Sequence, residues 1–331
     1  MKFSLIVCTY NRPLPLLKLL NSVAEQSYYP DQILIIDGSE EMATQELIEK
    51  SNFQRLEYFK VSEDDRGLTR QRNLGIEKLD VSSNIICFLD DDIILSPDYF
   101  KELMGTYDRY QDAIGVGGYI LDEVEWKISE FHIPLGFHEY TLDGWKRKLG
   151  SRNLLRKRLA LLSDQPPGVM PSFSNGLSIS FLPPSGKTYP VEYFMGGVAS
   201  YRKELFNKIA FSEFFEGYGL YEDLDFCLRA SEVGHLYVNT RARVHHYHEK
   251  GGRPNSFKYG KMVLRNGWYV WRVRFKNPSF SARWKWHATA MLLTFIRLCN
   301  VLNTTKKREA LTESLGRIFG WWSIIWNKPK P

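Results

Sequence analysis

Short, unbroken apolar runs alternate with stretches of helical spacing along the first 121 residues. Residues 3–9 (FSLIVCT), 32–36 (QILII), 56–61 and 113–121 read as strands, and the runs are too continuous for a sheet with one wet face. Between them, Leu16, Leu17, Leu20 and Val23 recur at helical spacing behind Pro13, which suits the first turn of a helix. Residues 40–51, 67–79 and 97–107 read as three further helices, the second with Leu68, Gln71 and Gly75 on one side. Strands alternating with helices predict a parallel, doubly wound α/β sheet. Right-handed crossovers bring its strand ends to one edge.

One stretch sets three carboxylates between apolar runs. Residues 84–96 (NIICFLDDDIILS) place Asp90, Asp91 and Asp92 between two apolar runs that read as a strand buried on both faces. Adjacent anions in such a setting are costly in desolvation and mutual repulsion. A divalent cation with oxygen ligands relieves that cost. In open α/β sheets ligands bind beyond the carboxyl ends of the strands. The plain alternative is a solvated acidic turn. Two other polar groups end strands at the same edge: Asn11 and Arg12 after the first, Asp37 after the second. Asp37 suits a base or ribose hydroxyl as an acceptor, or simply closes its own Gly-Ser turn. Arg12, and Arg70 or Arg72 on the 67–79 helix, suit phosphate or base, with a surface ion pair as the alternative for Arg72. Gly186-Lys187-Thr188 is not a phosphate loop, because Phe181 stands where that motif needs glycine. The Gly115–Gly118 run fails as a dinucleotide fingerprint, because Ile120 replaces the third glycine.

Composition adds one decisive contrast. The 331 residues carry a net charge of +6, but residues 251–331 hold 16 Lys and Arg against 2 Asp and Glu, leaving −8 for residues 1–250. Seven of the nine tryptophans also lie in that tail. An acidic body with a basic, Trp-rich tail predicts an anionic surface as partner. Four scattered cysteines without a CxxC pair predict a reduced, cytoplasmic protein with no cysteine zinc site. No run approaches the length of a spanning helix, and the N-terminal apolar run is too short for a signal peptide.

The order CTYNRP, IIDGS, GLTRQRNLGI, FLDDDI, then Gly196-Gly197-Val198-Ala199-Ser200-Tyr201-Arg202, then Glu222-Asp223-Leu224-Asp225, resembles the inverting family 2 glycosyltransferases of GT-A fold over roughly residues 1–253. The resemblance implies a Rossmann-like, mostly parallel central sheet flanked by helices, with a C-terminal helical extension. It implies a GT-A domain at 1–250, divided into a nucleotide-sugar-binding half at 1–122 and an acceptor half at 123–250, and a helical tail at 251–331. Thr9, Tyr10, Asn11, Arg12, Asp37 and Arg72 would hold the nucleotide, with Asp90 and Asp91 beside it. Asp90 and Asp92 match the family's D-x-D, whose last member ligates Mn²⁺ or Mg²⁺. A histidine of the 245–248 run would complete the metal site, His246 before His248. Asp223 would be the catalytic base, and Gly196, Gly197 and Glu222 would border the acceptor.

The chemistry agrees with that assignment on independent grounds. A divalent ion stabilises a departing nucleoside diphosphate, and a carboxylate takes the proton of the attacking hydroxyl. Asp223 as a helix N-cap is the structural alternative. Asp225 and Arg229, four apart, are expected to pair with each other. In the tail, residues 256–275, 284–302 and 316–326 read as helices with Trp-rich apolar faces and basic edges. Such helices lie in the interface of anionic membranes, here expected on the inner face of the cell membrane, or else pack on the body or form a homodimer. The expected partners are a nucleoside-diphosphate-sugar and a glycan or lipid-linked acceptor, with no nucleic acid. Two other readings stand beside the transferase: a nucleotidyltransferase, and a non-catalytic sugar-nucleotide-binding or membrane scaffold protein. The sequence leaves the sugar, the base, the acceptor and the oligomeric state open.

Overall fold

The structure, a computed structural model, describes residues 1–121, 123–129, 136–215, 217–247 and 254–331. The first 120 residues run β1 (Phe3–Thr9), α1 (Pro13–Ala24), β2 (Gln32–Asp37), α2 (Ala43–Glu49), β3 (Leu56–Lys60), α3 (Leu68–Glu77), β4 (Ile85–Asp90), β5 (Ile93–Leu95), α4 (Tyr99–Arg109) and β6 (Ala113–Ile120). There follow β7 (Lys127–Ile128), β8 (Glu139–Leu142), β9 (Trp145–Lys148), α5 (Ser151–Arg158), β10 (Thr188–Val191), β11 (Val198–Arg202), α6 (Glu222–Ala230) and β12 (His235–His246). The chain ends in α7 (Ser256–Arg274), α8 (Phe280–Asn303) and α9 (Lys307–Trp326).

These elements form two compact units, 1–125 with 182–252 and 126–181 with 253–331. The segment 126–181 is grouped with the C-terminal helices.

The first unit holds a nine-stranded sheet in the order β10-β12-β6-β11-β4-β1-β2-β3, with β5 beside β12. Pairs β4-β1, β1-β2 and β2-β3 are parallel, as the alternating pattern predicts. Registers Thr9↔Asp37 and Cys8↔Asp90 bring the polar strand ends level. The run 85–95 departs from the single buried strand expected of it. It divides at Asp91 and Asp92 into β4, parallel to β1, and β5, antiparallel to β12. The core packs Phe3, Leu5 and Val7 of β1 against Leu16, Leu19 and Leu20 of α1 and Tyr99 and Phe100 of α4. Helix α3 lies close over β1, because a Cβ on Gly75 would stand 2.8 Å from Ile6 Cγ2. Buried Gln71 donates to the carbonyls of Thr9 and Ile36, which locks that helix to two strand ends.

The second unit has a small sheet, β7-β9-β8, and its own core of Leu264, Trp268, Trp271, Ala282, Trp286 and Ile324. Trp271 donates from Nε1 to the Ser172 carbonyl at 3.1 Å, which ties the middle segment to α7. Three of the tail's tryptophans are therefore core residues rather than surface ones. Among the described residues no helix is long and apolar enough to cross a membrane.

Candidate active site

Everything in the candidate site belongs to the first unit and lies where β1, β4 and β12 end. Thr9 is buried and donates to Asp91 Oδ2 at 2.7 Å. Arg12 Nη1 stands 3.0 Å from Asp91 Oδ1 and 3.4 Å from Asp92 Oδ2. Burial pushes the Asp91 carboxyl up to about 6, against the opposing pull of Thr9 and Arg12. Asp91 is thus the inward anchor of the triplet. Asp90, with 42% of its side chain exposed, is the one that opens to solvent.

Antiparallel pairing of β5 with β12 places His246 opposite Ile93, next to Asp92. His246 Nε2 is 3.2 Å from Asp92 Oδ1, and its Nδ1 faces Glu123 Oε1 at 3.6 Å. The carboxylates of Asp92 and then Glu123 push the imidazole up to about 10. An oxygen and a nitrogen donor side by side, with a carboxylate behind the imidazole, fit a divalent cation and its outer shell. Among the described residues no group of three or more His, Cys, Asp or Glu is placed to hold a metal ion by itself. Two protein ligands suit a cation whose other positions are filled by substrate phosphate oxygens. His248, the second histidine singled out from the sequence, lies outside the described residues.

A second carboxylate pair faces this one across a buried guanidinium. Arg72 Nη1 bonds Glu222 Oε1 at 2.5 Å, and its Nη2 lies 3.6 Å from Asp90 Oδ1. The rings of Phe88 and Phe211 lie 5.6 and 5.2 Å from the guanidinium carbon, so the cation sits in an aromatic slot. Glu222 is pushed up to about 8, chiefly by burial. That direction holds despite the short bond, because Asp90, Asp223 and Glu222 share this one guanidinium. The Glu222 Oε2 atom is buried with no hydrogen-bond partner.

Asp223 is not the N-cap of α6. Tyr221 is, in a left-handed conformation at φ 70°. That turn, preceded by Gly217 and Gly219 at φ 75° and 71°, puts Glu222 and Asp223 at the first turn of the helix. Asp223 Oδ1 accepts from the Leu224 amide at 2.8 Å and Oδ2 from the Gly196 amide at 3.3 Å. Burial raises its pKa while these amides lower it, with burial prevailing. The two glycines explain themselves sterically. A Cβ on Gly197 would lie 2.2 Å from Asp90 Oδ2, and one on Gly196 would lie 2.8 Å from Glu222 Oε1. Gly196 and Gly197 therefore form the floor on which Asp90, Glu222 and Asp223 converge.

Other singled-out residues stand elsewhere. Asp37 is fully buried and accepts from the Ser39 amide and hydroxyl and, at 2.7 Å, from Tyr58. It closes its own turn, the plain alternative read for it. Asn11 takes the left-handed conformation at φ 54°, and its amide donates to Ser39 Oγ. Tyr10 is exposed beside Glu40. Arg70 points away, to the Asp64 carbonyl and Glu213, which leaves Arg72 as the arginine that α3 gives the site. Asp225 pairs with Arg229 at 2.5 Å, as their spacing predicts. Glu123, Tyr58 and the Phe88–Phe211 slot were not foreseen. The signal for Glu123 was the acidic residue just beyond β6, whose parallel pairing with β12 sets Ile120 beside Val244.

Residues 4–173, more than half of the chain, match the family described as Glycosyl transferase family 2. The glucosyl-dolichyl phosphate glucuronosyltransferase of Haloferax volcanii is 28% identical over 134 residues, covering 40% of this chain and 42% of that protein. The O-antigen chain rhamnosyltransferase RfbN of Salmonella typhimurium is 30% identical over 105 residues, covering 31% of this chain and 32% of its own length. The chain thus spans less than half the length of these curated relatives. Among solved structures, the mannosyltransferase PcManGT from Pyrobaculum calidifontis, in complex with GDP-Man and Mn²⁺, superposes with a TM-score of 0.57 at 12% identity, covering 99% of this chain and 88% of that one. TarS 1–349 of S. aureus in complex with UDP-GlcNAc gives 0.51 at 14% identity, covering 99% and 93%. At these identities the likeness is one of fold, the GT-A fold.

Proposed function

The chain belongs to glycosyl transferase family 2, and from that premise we propose that it transfers a sugar, with inversion, from a nucleoside-diphosphate-sugar to an acceptor hydroxyl. The observation that carries the proposal is the Arg72 bridge between Asp90 on the donor side and Glu222, neighbour of Asp223, on the acceptor side. It supports a reading in which Asp90 faces the donor and Asp223 the acceptor across one glycine floor.

In this mechanism Thr9 and Arg12 hold Asp91 and the first strand end in place, and Arg12 and Arg72 face the donor phosphates. Asp92 and His246, with Asp90 nearest the donor, would hold Mn²⁺ or Mg²⁺, which when bound neutralises charge on the leaving diphosphate. Asp223 accepts the proton of the acceptor hydroxyl as that oxygen attacks the anomeric carbon. The bond from that carbon to the phosphate oxygen breaks, and the nucleoside diphosphate leaves with the electron pair. Attack from the side opposite the leaving group inverts the centre. Burial favours this role by raising the Asp223 pKa toward working pH. One relative is named for glucosyl-dolichyl phosphate and another for the O-antigen chain, so the acceptor proposed is a glycan hydroxyl, polymeric or lipid-linked.

Thermal-shift titration with UDP, dTDP, GDP and CMP, with and without Mn²⁺, finds the donor base. A donor screen with that base then reads nucleoside diphosphate release. Release of the diphosphate with sugar on an acceptor supports the reading. Release of sugar 1-phosphate instead, with the nucleoside monophosphate moved to the acceptor, would assign nucleotidyl transfer, and binding without any turnover would assign a scaffold.

A further inference from the structure

The second unit adds a basic middle segment to the basic tail. It holds 24 Lys and Arg against 6 Asp and Glu, a net of +18. On α7, α8 and α9 the acidic side chains are Glu309 and Glu313. Glu313 is buried between Arg297 and Arg317, and Glu309 bonds Lys306. Glu309, half exposed beside Lys306, is thus the acidic side chain that these three helices present to solvent.

Two apolar stripes lie exposed among those cations. On α8, Trp284, Met291, Phe295, Leu298 and Leu302 follow one another at steps of 7, 4, 3 and 4 residues, which is one face of a helix. On α9, which packs beside α8, Leu311, Leu315, Phe319, Trp322 and Trp326 step by 4, 4, 3 and 4. The opposite faces are already satisfied. Trp286, Thr289 and Thr294 of α8 and Ala310, Ser314 and Gly316 of α9 are buried. Leu302 and Trp326 are each about four-fifths exposed, which no core requirement explains. Lys261 sits 5.3 Å over the exposed Phe319 ring, so charge and apolar surface interleave rather than segregate. At the turn between the two helices a cleft of about 450 Å³ is lined by Thr305, Lys306, Lys307, Arg308 and Thr312, with Ser256 of α7 and the Lys306-bonded Glu309 at its margin. Cations, hydroxyls and the start of a 20-residue helix in one cleft suit a phosphate.

We infer that the α8–α9 face is a docking surface for an anionic lipid bilayer. On it the stripes enter the headgroup–acyl boundary and the basic cleft receives a lipid phosphate. Neither helix is long and apolar enough to cross, so the helices lie in the interface. A second copy of the chain is the worse occupant. A two-fold pairing of this face would set its basic flanks against each other with Glu309, already bonded to Lys306, as the acidic partner. The inference is independent of which sugar, or whether any sugar, is transferred.

The test is vesicle flotation of the full chain, on phosphatidylcholine alone and on phosphatidylcholine with an equal amount of phosphatidylglycerol. The wild type is expected to float with the mixed vesicles, to be released by high salt and to stay down with the neutral ones. Lys307→Glu with Arg308→Glu, and Leu302→Ser with Trp326→Ser, are each expected to partition about tenfold less, or worse. All four positions are exposed, and unchanged melting of the variants shows that folding is intact. Flotation equal in wild type and both variants, or absent altogether, overturns the inference. A concentration-dependent dimer in sedimentation that Trp326→Ser dissolves, without flotation, gives the face to a second copy. If a variant fails to fold, the salt and lipid dependence of the wild type decides alone.

Discussion

Asp223 and Asp90 are carboxylates of the same site with different surroundings, and that difference sets what each substitution does. Asp223 is held by two backbone amides, one on each oxygen, so Asp223→Asn keeps the size of the side chain, removes its basicity and gives up the weaker of the two accepted bonds. We expect kcat to fall by a factor of about 10² to 10⁴ while nucleotide binding measured by calorimetry is retained. Loss of binding in step with loss of rate would make Asp223 a structural residue. Gly197→Ala acts on Asp90 instead, since the new Cβ would meet its carboxylate at 2.2 Å. The obstructed group is the end of a side chain and can swing aside. The fold is therefore expected to lose no more than about 1 kcal/mol, whereas stabilisation by nucleoside diphosphate with Mn²⁺ disappears. Glu222 carries the pH signature. Its folded pKa of about 8 exceeds its ordinary 4.5, so the folded chain keeps a proton that the unfolded chain releases between those values. This contribution is full below 4.5 and is lost as pH rises through 8. Glu222→Gln cannot lose that proton. The melting temperature of the variant, relative to wild type, should rise from about pH 5 to about pH 9. A constant difference would mean that Arg72 keeps Glu222 ionised throughout. At this scale the sequence was readable where a side chain has one environment, as for the Asp225–Arg229 pair. It was mute where a residue's neighbours come from distant strands. Glu123 meets His246 through the β6–β12 pairing, and Tyr58 meets Asp37 from the neighbouring strand.

Among the elements, the parallel strands were legible because burial on both faces writes itself as a continuous apolar run, as in β1, β2 and β4. Helix α9 was not. It starts at Lys307, nine residues before the apolar pattern announces it, because its first half buries Ala310, Glu313, Ser314 and Gly316. A face of small residues with one ion-paired glutamate has no apolar period to detect. The reason that face is small lies in how closely α7 approaches. A Cβ on Gly316 would come 2.1 Å from the Phe257 carbonyl, and one on Gly260 would come 2.1 Å from the Glu313 carbonyl. Both obstacles are backbone and cannot swing away. Gly316→Ala is thus expected to cost roughly 3 kcal/mol and lower the melting temperature by about 5 °C. Gly105→Ala, on α4 with open space beyond its Cα, serves as the control and should be neutral or slightly stabilising. Equal effects at the two glycines would show that α7 and α9 tolerate separation.

The whole molecule poses an electrostatic problem that neither residues nor elements reveal singly. The unit that carries the site holds 20 Lys and Arg against 32 Asp and Glu, a net of −12. It is nevertheless proposed to attract a nucleoside diphosphate, itself an anion. Arg12 and Arg72 alone do not offset this, because each is already paired with carboxylates of the site. A bound divalent cation reverses the local sign and makes the long-range repulsion affordable. The expected outcome is therefore conditional. With Mn²⁺ present, the matching nucleoside diphosphate at a hundred times its Kd should stabilise the full chain by about 2.7 kcal/mol. With a chelator present it should give almost none. Added salt screens the unit's repulsion, so in chelator the residual binding should strengthen as ionic strength rises, opposite to the usual weakening of an anion bound by cations. Equal stabilisation with and without Mn²⁺ would mean that the arginines suffice, and Asp92 and His246 would then be a structural ion pair closing β5 onto β12.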